Sequence, residues 1–323
     1  MLKSYYFNLC IIVLAALTAW FSRTPAPVEI ARLAPPELTQ SLEQRLKPLI
    51  DAHKGEVAVA VKHLITGETF QHRADVPMPT ASLVKFPVMI EVYRQAHAGL
   101  IDLDTMIRLS ERDKVPGSGI LTTHFSDGLT LSLRDCVRLM IAFSDNTATN
   151  LVLDRIGIAS TGETMRELGF TNTAIHSKVF RRQTSIAPER SEKFGLGSTT
   201  ANEMIGLLEM LATNRLVSES ASVAMREHLN KCDDNDKMPR LLPVGVVVAH
   251  KTGSVDNVRT AAGLIETSSG TLAICVLTNK NADERWVADN AGNRLCAEIA
   301  LQAFEHAQKL GNNRAAKPDD QSR

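Results

Sequence analysis

Ser82-Leu83-Val84-Lys85 opens the apolar run Phe86 to Tyr93. A hydroxyl residue ahead of such a run predicts a helix that begins near Ser82. Residues three apart share a helical face, which brings the Lys85 amine within reach of the Ser82 hydroxyl. A serine hydroxyl is a poor nucleophile until something takes its proton, and a desolvated lysine with a depressed pKa can do so. The helix N-terminus adds a positive dipole and free backbone N–H groups where an oxyanion would form. Alone, the pair carries little, because average composition produces SxxK by chance on the order of once in a chain this long.

Upstream of this stretch, Leu38, Leu42, Leu46 and Leu49 have helical spacing, with Pro48 expected to shorten the helix. Val57, Val59 and Val61 alternate as a strand ending at the Thr66-Gly67 turn. From Ser82 to Asn230 the pattern is mainly helical, with capped starts at Ser132 (Asp135 three residues on) and Thr200 (Glu203 three residues on). Val244 to Ala249, Ala261 to Ile265 and Leu272 to Leu277 read as strands, the last two joined by Ser268-Ser269-Gly270. Val287, Ala291, Leu295 and Ile299 form a closing helical stripe. This order predicts an α/β (α+β) fold of two lobes. An antiparallel sheet flanked by helices is built from about residues 37–80 and 238–306, and an all-helical lobe from about 81–237. The cleft between the lobes is the expected place for a small-molecule site.

Two further motifs fall around that cleft. Ser144-Asp145-Asn146 follows the helix ending near Phe143. There a second hydroxyl can relay a proton to a leaving nitrogen, and an Asn amide can hold a substrate amide. Lys251-Thr252-Gly253 is expected at the end of the strand Val244 to Ala249. An ammonium and a hydroxyl there can bind a carboxylate, while the glycine lets an acyl group lie against the strand edge. In isolation, SDN reads as a loop or cap and KTG as a strand-to-turn transition. Together with SxxK, chance gives all three in roughly one chain in a few hundred, before order and spacing are required.

Composition narrows the function further. The 323 residues are 44% hydrophobic and 22% charged, with Lys plus Arg equal to Asp plus Glu at 36 each. No net field is available to hold a polyanion, so nucleic-acid binding is not expected. Lys3 and the apolar run Tyr5 to Phe21 predict an export signal within residues 1–30, or an uncleaved anchor, and this is the only membrane attachment expected. An exported, periplasmic or extracellular, monomeric protein follows. Residues 311–323 form a polar tail. Cys136, Cys232, Cys275 and Cys296 are expected as buried free thiols. The run Asp233-Asp234-Asn235-Asp236 lacks the glycine and terminal glutamate of a calcium loop and reads as a solvated turn. His250 reads as a strand residue turned away from the site, and Pro116-Gly117-Ser118-Gly119 as a tight turn. No metal or organic cofactor is implied, since fixed dipoles suffice for serine acyl transfer.

SxxK, SDN and KTG in this order and separation resemble the class A β-lactamases and their penicillin-binding relatives. The stretch Ser144 to Asn150, the approach Leu241 to Gly245 and the pair Thr199-Thr200 extend the resemblance over residues 37–306. It implies Ser82 as the acylated nucleophile, Lys85 as its proton acceptor or the orienter of a water, and Ser144 as the proton shuttle to the β-lactam nitrogen. It implies further that Asn146 holds a substrate side-chain amide and that Lys251 with Thr252 binds the carboxylate beside Gly253. The backbone N–H groups of Ser82 and Ser254 would form the oxyanion hole. Arg259 lies one residue from the place of a carboxylate-supporting arginine, the alternative being a solvent-exposed salt bridge. The Pro116–Gly119 turn would lie at the cleft rim.

One departure bears on turnover. Where the family carries an ExxLN loop, whose glutamate activates the water that releases the acyl group, this chain has Ile175 to Thr184 with no carboxylate. Glu189 and Glu192 are the nearest carboxylates in sequence, and Glu189 is the candidate base. Asn150, which in the family helps hold that glutamate and its loop, is present. Three functions follow as expectations. The first is a β-lactamase acting on small-molecule β-lactams, and the second a D,D-peptidase-like enzyme acting on cell-wall D-Ala-D-Ala peptides. The third is a non-catalytic β-lactam sensor. A sensor is normally fused to a signalling segment and such a peptidase to a wall-associated domain, and their absence from this sequence favours the first.

Overall fold

The structure, a computed structural model, describes residues 40–315, with side chains to residue 310. The expected export segment therefore lies outside the described residues. So does most of the polar tail, although its first residues continue the last helix to Ala315. Among the described residues no helix is long and apolar enough to cross a membrane.

In chain order the elements are α1 (Leu42–Ala52), β1 (Glu56–His63), β2 (Thr69–His72), β3 (Met78–Pro79), a 3-10 turn (Ala81–Val84) and α2 (Lys85–His97). Then come β4 (Met106–Arg108), α3 (Leu121–His124), β5 (Thr130–Ser132), α4 (Leu133–Ala142), α5 (Asn146–Ile156) and α6 (Ile158–Glu167). They are followed by β6 (Ala174–Ile175), α7 (Pro188–Phe194), β7 (Gly197–Thr199), α8 (Ala201–Ala212) and α9 (Glu219–Leu229). The chain closes with β8 (Val248–Val255), β9 (Val258–Thr267), β10 (Gly270–Asn279) and α10 (Ala291–Ala315).

The main sheet has the order β2-β1-β10-β9-β8 and is antiparallel throughout. β1 pairs with β10 in the register Val59↔Val276, which joins the two ends of the described chain. Alternation along each strand then serves two cores. Val57, Val59 and Val61 pack with Leu46 of α1 and Ile299 and Phe304 of α10, while Ala58, Ala60 and Leu277 join the core of the helical lobe. The sheet is thus covered on both faces, which explains its near-continuous apolar strands.

Local signals account for most boundaries. Ser41 and Gln44 form a reciprocal capping box at α1, and Ser132 Oγ and Thr200 Oγ1 accept from the backbone N–H groups of Asp135 and Glu203. Pro48 does not shorten α1 as expected. The helix continues to Ala52, because Leu42, Leu46 and Ile50 anchor its length to the sheet. The strand expected over Val244 to Ala249 begins only at Val248. Pro243 and Gly245, the latter at φ +92°, make a turn closed by Val246 N–H donating to Pro243 O at 3.2 Å, and Val244 and Val247 are exposed. β8 instead runs on to Val255, so Lys251-Thr252-Gly253 lies inside an edge strand. Val287 lies outside α10 and is exposed.

α2 is enclosed by the other helices, with Phe86, Val88, Met89, Ile90 and Val92 buried. Its Glu91 carboxylate accepts from Arg94, Gln95 and, across to α6, Thr164. Burial pushes that carboxyl up, but these donors outweigh it and hold it below the usual value. All four described cysteines are free and buried, as expected.

Tyr93 of α2 meets His228 of α9, Oη to Nε2 at 2.8 Å. Burial first, and the Arg138 and Arg134 charges second, push His228 down to about 4. Between pH 4 and 6.5 the unfolded chain therefore binds the proton that the folded chain refuses, so stability falls as pH falls through this window. The expected loss is on the order of 3 kcal/mol, at about 1.4 kcal/mol per pKa unit. His228→Gln should flatten urea-unfolding stability between pH 6.5 and 4. An unchanged slope would assign the acid sensitivity elsewhere.

Candidate active site

The lobes meet at a cleft of about 560 Å³, lined by Ser82, Ser144, Lys251, Thr252, Gly253, Ser254 and Arg259 among others. Ser82 sits in the 3-10 turn that feeds α2 and is half-buried. The residue before it, Ala81, has φ +47°, and Ser144 has φ +52°. Non-glycine residues hold such angles at a cost of order 1–3 kcal/mol only where packing over-determines them. Both positive angles therefore mark a backbone shaped around these two hydroxyls.

Lys85 is fully buried, and its ammonium donates to Ser144 O at 2.6 Å, Ser144 Oγ at 3.1 Å and Asn146 Oδ1 at 2.9 Å. The expected direct bond to Ser82 is thus replaced by bonds to the Ser144–Asn146 segment, whose three acceptors match the three ammonium protons. Burial and then the nearby Lys251 charge push Lys85 well below the usual lysine value, opposed by Asp145. A fraction of neutral amine is consequently available to accept a proton.

The middle residue of this segment has a structural task. Asp145 caps α5 through Ala148 N–H and accepts from the backbone N–H groups of Ile120 and Leu121. Asn146 donates to Pro116 O at 3.0 Å. A Cβ on Gly119 would fall 2.3 Å from the Asp145 carboxylate, so the Pro116–Gly119 turn requires glycine to pack this closely.

β8 forms the opposite wall. A Cβ on Gly253 would lie 2.5 Å from Thr80 O and 2.8 Å from Ser82 N, so this glycine lets the edge strand approach the Ser82 backbone. Thr260 Oγ1 donates to Thr80 O at 2.8 Å and ties β9 to the same point. Lys251 is buried and donates to Thr252 O at 3.0 Å. Burial pushes its pKa down, while Cys232 and Asp234 draw it up.

Arg259 lines the cleft but is no exposed salt bridge. It is buried, points its guanidinium at the carbonyls of Val255, Asp256, Val258 and Arg285, and lies 5.0 Å over the Trp286 ring. Alternation along β9 explains the outcome: Thr260 on one face bonds Thr80 O, and Arg259 on the other packs against Gly292 of α10. The run Asp233 to Asp236 is solvated at Asp233, Asn235 and Asp236, as expected, but it also lines the cleft, with Asp234 accepting from Lys237 at 2.6 Å and Thr252 Oγ1 at 2.7 Å. His250 does not line this cleft. Its Nε2 donates to Asp234 O at 3.0 Å and so steadies that wall. Among the described residues no cluster of three or more His, Cys, Asp or Glu side chains is placed to hold a metal ion.

The structure does not bring Glu189 to the cleft. It is exposed on α7, as is Glu192, and among the described residues the only carboxylates lining the cleft are Asp233, Asp234 and Asp236. Asn150 is buried and clamps Val179 from both sides: Nδ2 donates to Val179 O at 3.0 Å, and Val179 N–H donates to Oδ1 at 2.8 Å. The loop is strapped again where Lys178 pairs with Asp154 and Arg181 donates to Arg112 O. Next to the clamp, exposed Phe180 packs over Gly117 at φ +54°.

Comparison with known proteins places this arrangement. The β-lactamase enzyme family model matches residues 41–307. Among curated proteins, β-lactamase SME-1 of Serratia marcescens is 23% identical, over 81% of this chain and 88% of its own length. A β-lactamase of Phocaeicola vulgatus is 26% identical over 68% and 69%. Among solved structures, a β-lactamase from Sphaerobacter thermophilus aligns with a TM-score of 0.73 and 31% identity, covering 82% of this chain and 97% of that one. PBP-A, solved as a leucine-to-glutamate mutant in an acyl-enzyme complex with penicillin-G, shares the fold at a TM-score of 0.69 and 20% identity, covering 85% and 97%.

Proposed function

Because the chain belongs to the β-lactamase enzyme family, we propose that it is a serine hydrolase that opens β-lactam rings by acylation of Ser82 and releases the acyl group slowly. The observation that carries this reading is the buried Lys85 ammonium, bonded to Ser144 Oγ at 3.1 Å in the cleft that Ser82 lines.

The chemistry runs through these groups. Neutral Lys85 accepts the Ser82 proton, through Ser144 or a water, and Ser82 Oγ attacks the lactam carbonyl carbon. The developing oxyanion is received by the backbone N–H groups of Ser82 and Ser254, held together by the close approach at Gly253. As the C–N bond breaks, the proton passes from Lys85 to Ser144 and on to the leaving nitrogen, a path the Lys85–Ser144 hydrogen bond already spans. Lys251 and Thr252 bind the substrate carboxylate, while Asn146, buried and engaged by Lys85 and Pro116 O, orients the lysine. Release then requires water and a base, and the loop clamped by Asn150 presents Val179 where the family resemblance calls for a glutamate.

The same clamp favours a second reading, a D,D-peptidase-like enzyme that transfers the acyl group of cell-wall peptides without such a glutamate. Tryptic mapping after benzylpenicillin treatment, with D-alanine release from a D-Ala-D-Ala peptide measured in parallel, tests both. Expected is a penicilloyl group on the peptide containing Ser82. A label elsewhere rejects the nucleophile, and D-alanine release with no penicilloyl label would leave only the second reading.

A further inference from the structure

We propose that Asp234 is a specificity-determining residue, an internal carboxylate that occupies the donors a substrate carboxylate would use and so disfavours anionic substrates. The inference rests on the reading of Ser82 as nucleophile and of Lys251 with Thr252 as the carboxylate subsite.

A hydroxyl has one proton to donate. Thr252 Oγ1 gives it to Asp234 Oδ2 at 2.7 Å, and the Lys237 ammonium reaches the same oxygen at 2.6 Å. All three residues line the cleft beside Lys251. A substrate carboxylate at Thr252 must therefore take over a donor that already serves an anion.

The arrangement is built rather than incidental. Asp234 Oδ1 accepts from Asp236 N–H at 3.2 Å, and His250 holds the Asp234 carbonyl at 3.0 Å. Lys237, at 2% exposure, is buried, and its partner Asp234 is partly buried. Burial pushes the Asp234 carboxyl up, but Lys237, Thr252 and the Asp236 N–H together hold it at about 2. It is an anion at any ordinary working pH. Two ammonium groups, Lys251 and Lys237, then face one fixed carboxylate, which weakens the attraction for a second without abolishing it.

The test uses Asp234→Asn, which keeps the side chain's size and an acceptor oxygen for Thr252 and Lys237. Acylation rates are read from adduct mass with benzylpenicillin and with its methyl ester, which lacks the negative charge. The variant should accelerate acylation by the acid about tenfold, equivalent to ~1.4 kcal/mol, and change the ester less than about threefold. Equal changes for both compounds would mean a merely structural role and overturn the proposal, as would slower acylation by the acid.

A second measurement is independent of acylation: calorimetric binding of ring-opened benzylpenicillin to Ser82→Ala, with and without Asp234→Asn. Tighter binding in the doubly substituted protein is expected. No gain, or binding by neither protein, overturns the proposal. If no compound forms an adduct while the binding gain is present, the β-lactam acylation reading fails and the role of Asp234 stands. Should Asp234→Asn not fold, Asp234→Ser carries the same acid-to-ester comparison.

Discussion

Replacing Ser82 with alanine should abolish covalent labelling by β-lactams, a loss of at least about a thousandfold in acylation rate, since no other hydroxyl holds its position. Ser144, the cleft serine that accepts from Lys85, sits at a strained backbone angle. Stability should change little, because Ser82 is half-buried and the substitution removes one oxygen without leaving a large cavity. Intact-protein mass after incubation with benzylpenicillin reads the result. An adduct that survives in Ser82→Ala would end the assignment of Ser82 as nucleophile.

The second large effect is expected on release. Val179→Glu places a carboxylate in the backbone clamp made by Asn150, where the proposed function lacks a base for the deacylating water. Val179 is 7% exposed, so burial will raise the new carboxyl's pKa toward neutrality and make it a better proton acceptor at working pH. Release of the penicilloyl group should accelerate by about a thousandfold, or ~4 kcal/mol in barrier, while acylation changes by less than about threefold. The substitution should also lower stability by roughly 1–3 kcal/mol, the ordinary cost of a poorly satisfied buried polar group. An unchanged release rate in a folded variant would mean that the clamp does not govern deacylation.

Much of the fold was legible because its signals are local. The caps at Ser132 and Thr200, the turn at Ser268-Ser269-Gly270 and the alternation of Val57, Val59 and Val61 each act within a few residues, and each appears where the pattern puts it. The three motifs also bring Ser82, Ser144 and Lys251 to Gly253 to one cleft, with Lys85 and Asn146 buried behind it and Asp145 capping α5. The misplaced start of β8 has a comparable cause. Val244 to Val247 are as apolar as a strand, but the Pro243–Gly245 turn governs their backbone.

What stayed hidden depends on contacts distant in sequence. Asp234 finds Thr252 across 18 residues, and Asn150 finds Val179 across 29, so neither pairing has a pattern to read. Arg259 illustrates a sharper limit, since a shift of one residue along a strand reverses the face on which a side chain lies. Thr260, which no motif singled out, bonds Thr80 O two residues before Ser82. The role of Lys85 also needed coordinates, because its ammonium turns to Ser144 and Asn146 and the helical spacing pointed only to Ser82.

The most direct test is intact-protein mass against time after mixing the protein with a chromogenic cephalosporin, with substrate loss recorded in the same sample. Ring opening adds the acylating fragment at one site, so a single adduct that forms quickly, persists for many minutes and accompanies about one equivalent of substrate loss is expected. Absence of any adduct without substrate loss would contradict acylation at Ser82. Rapid multiple turnover would contradict slow release.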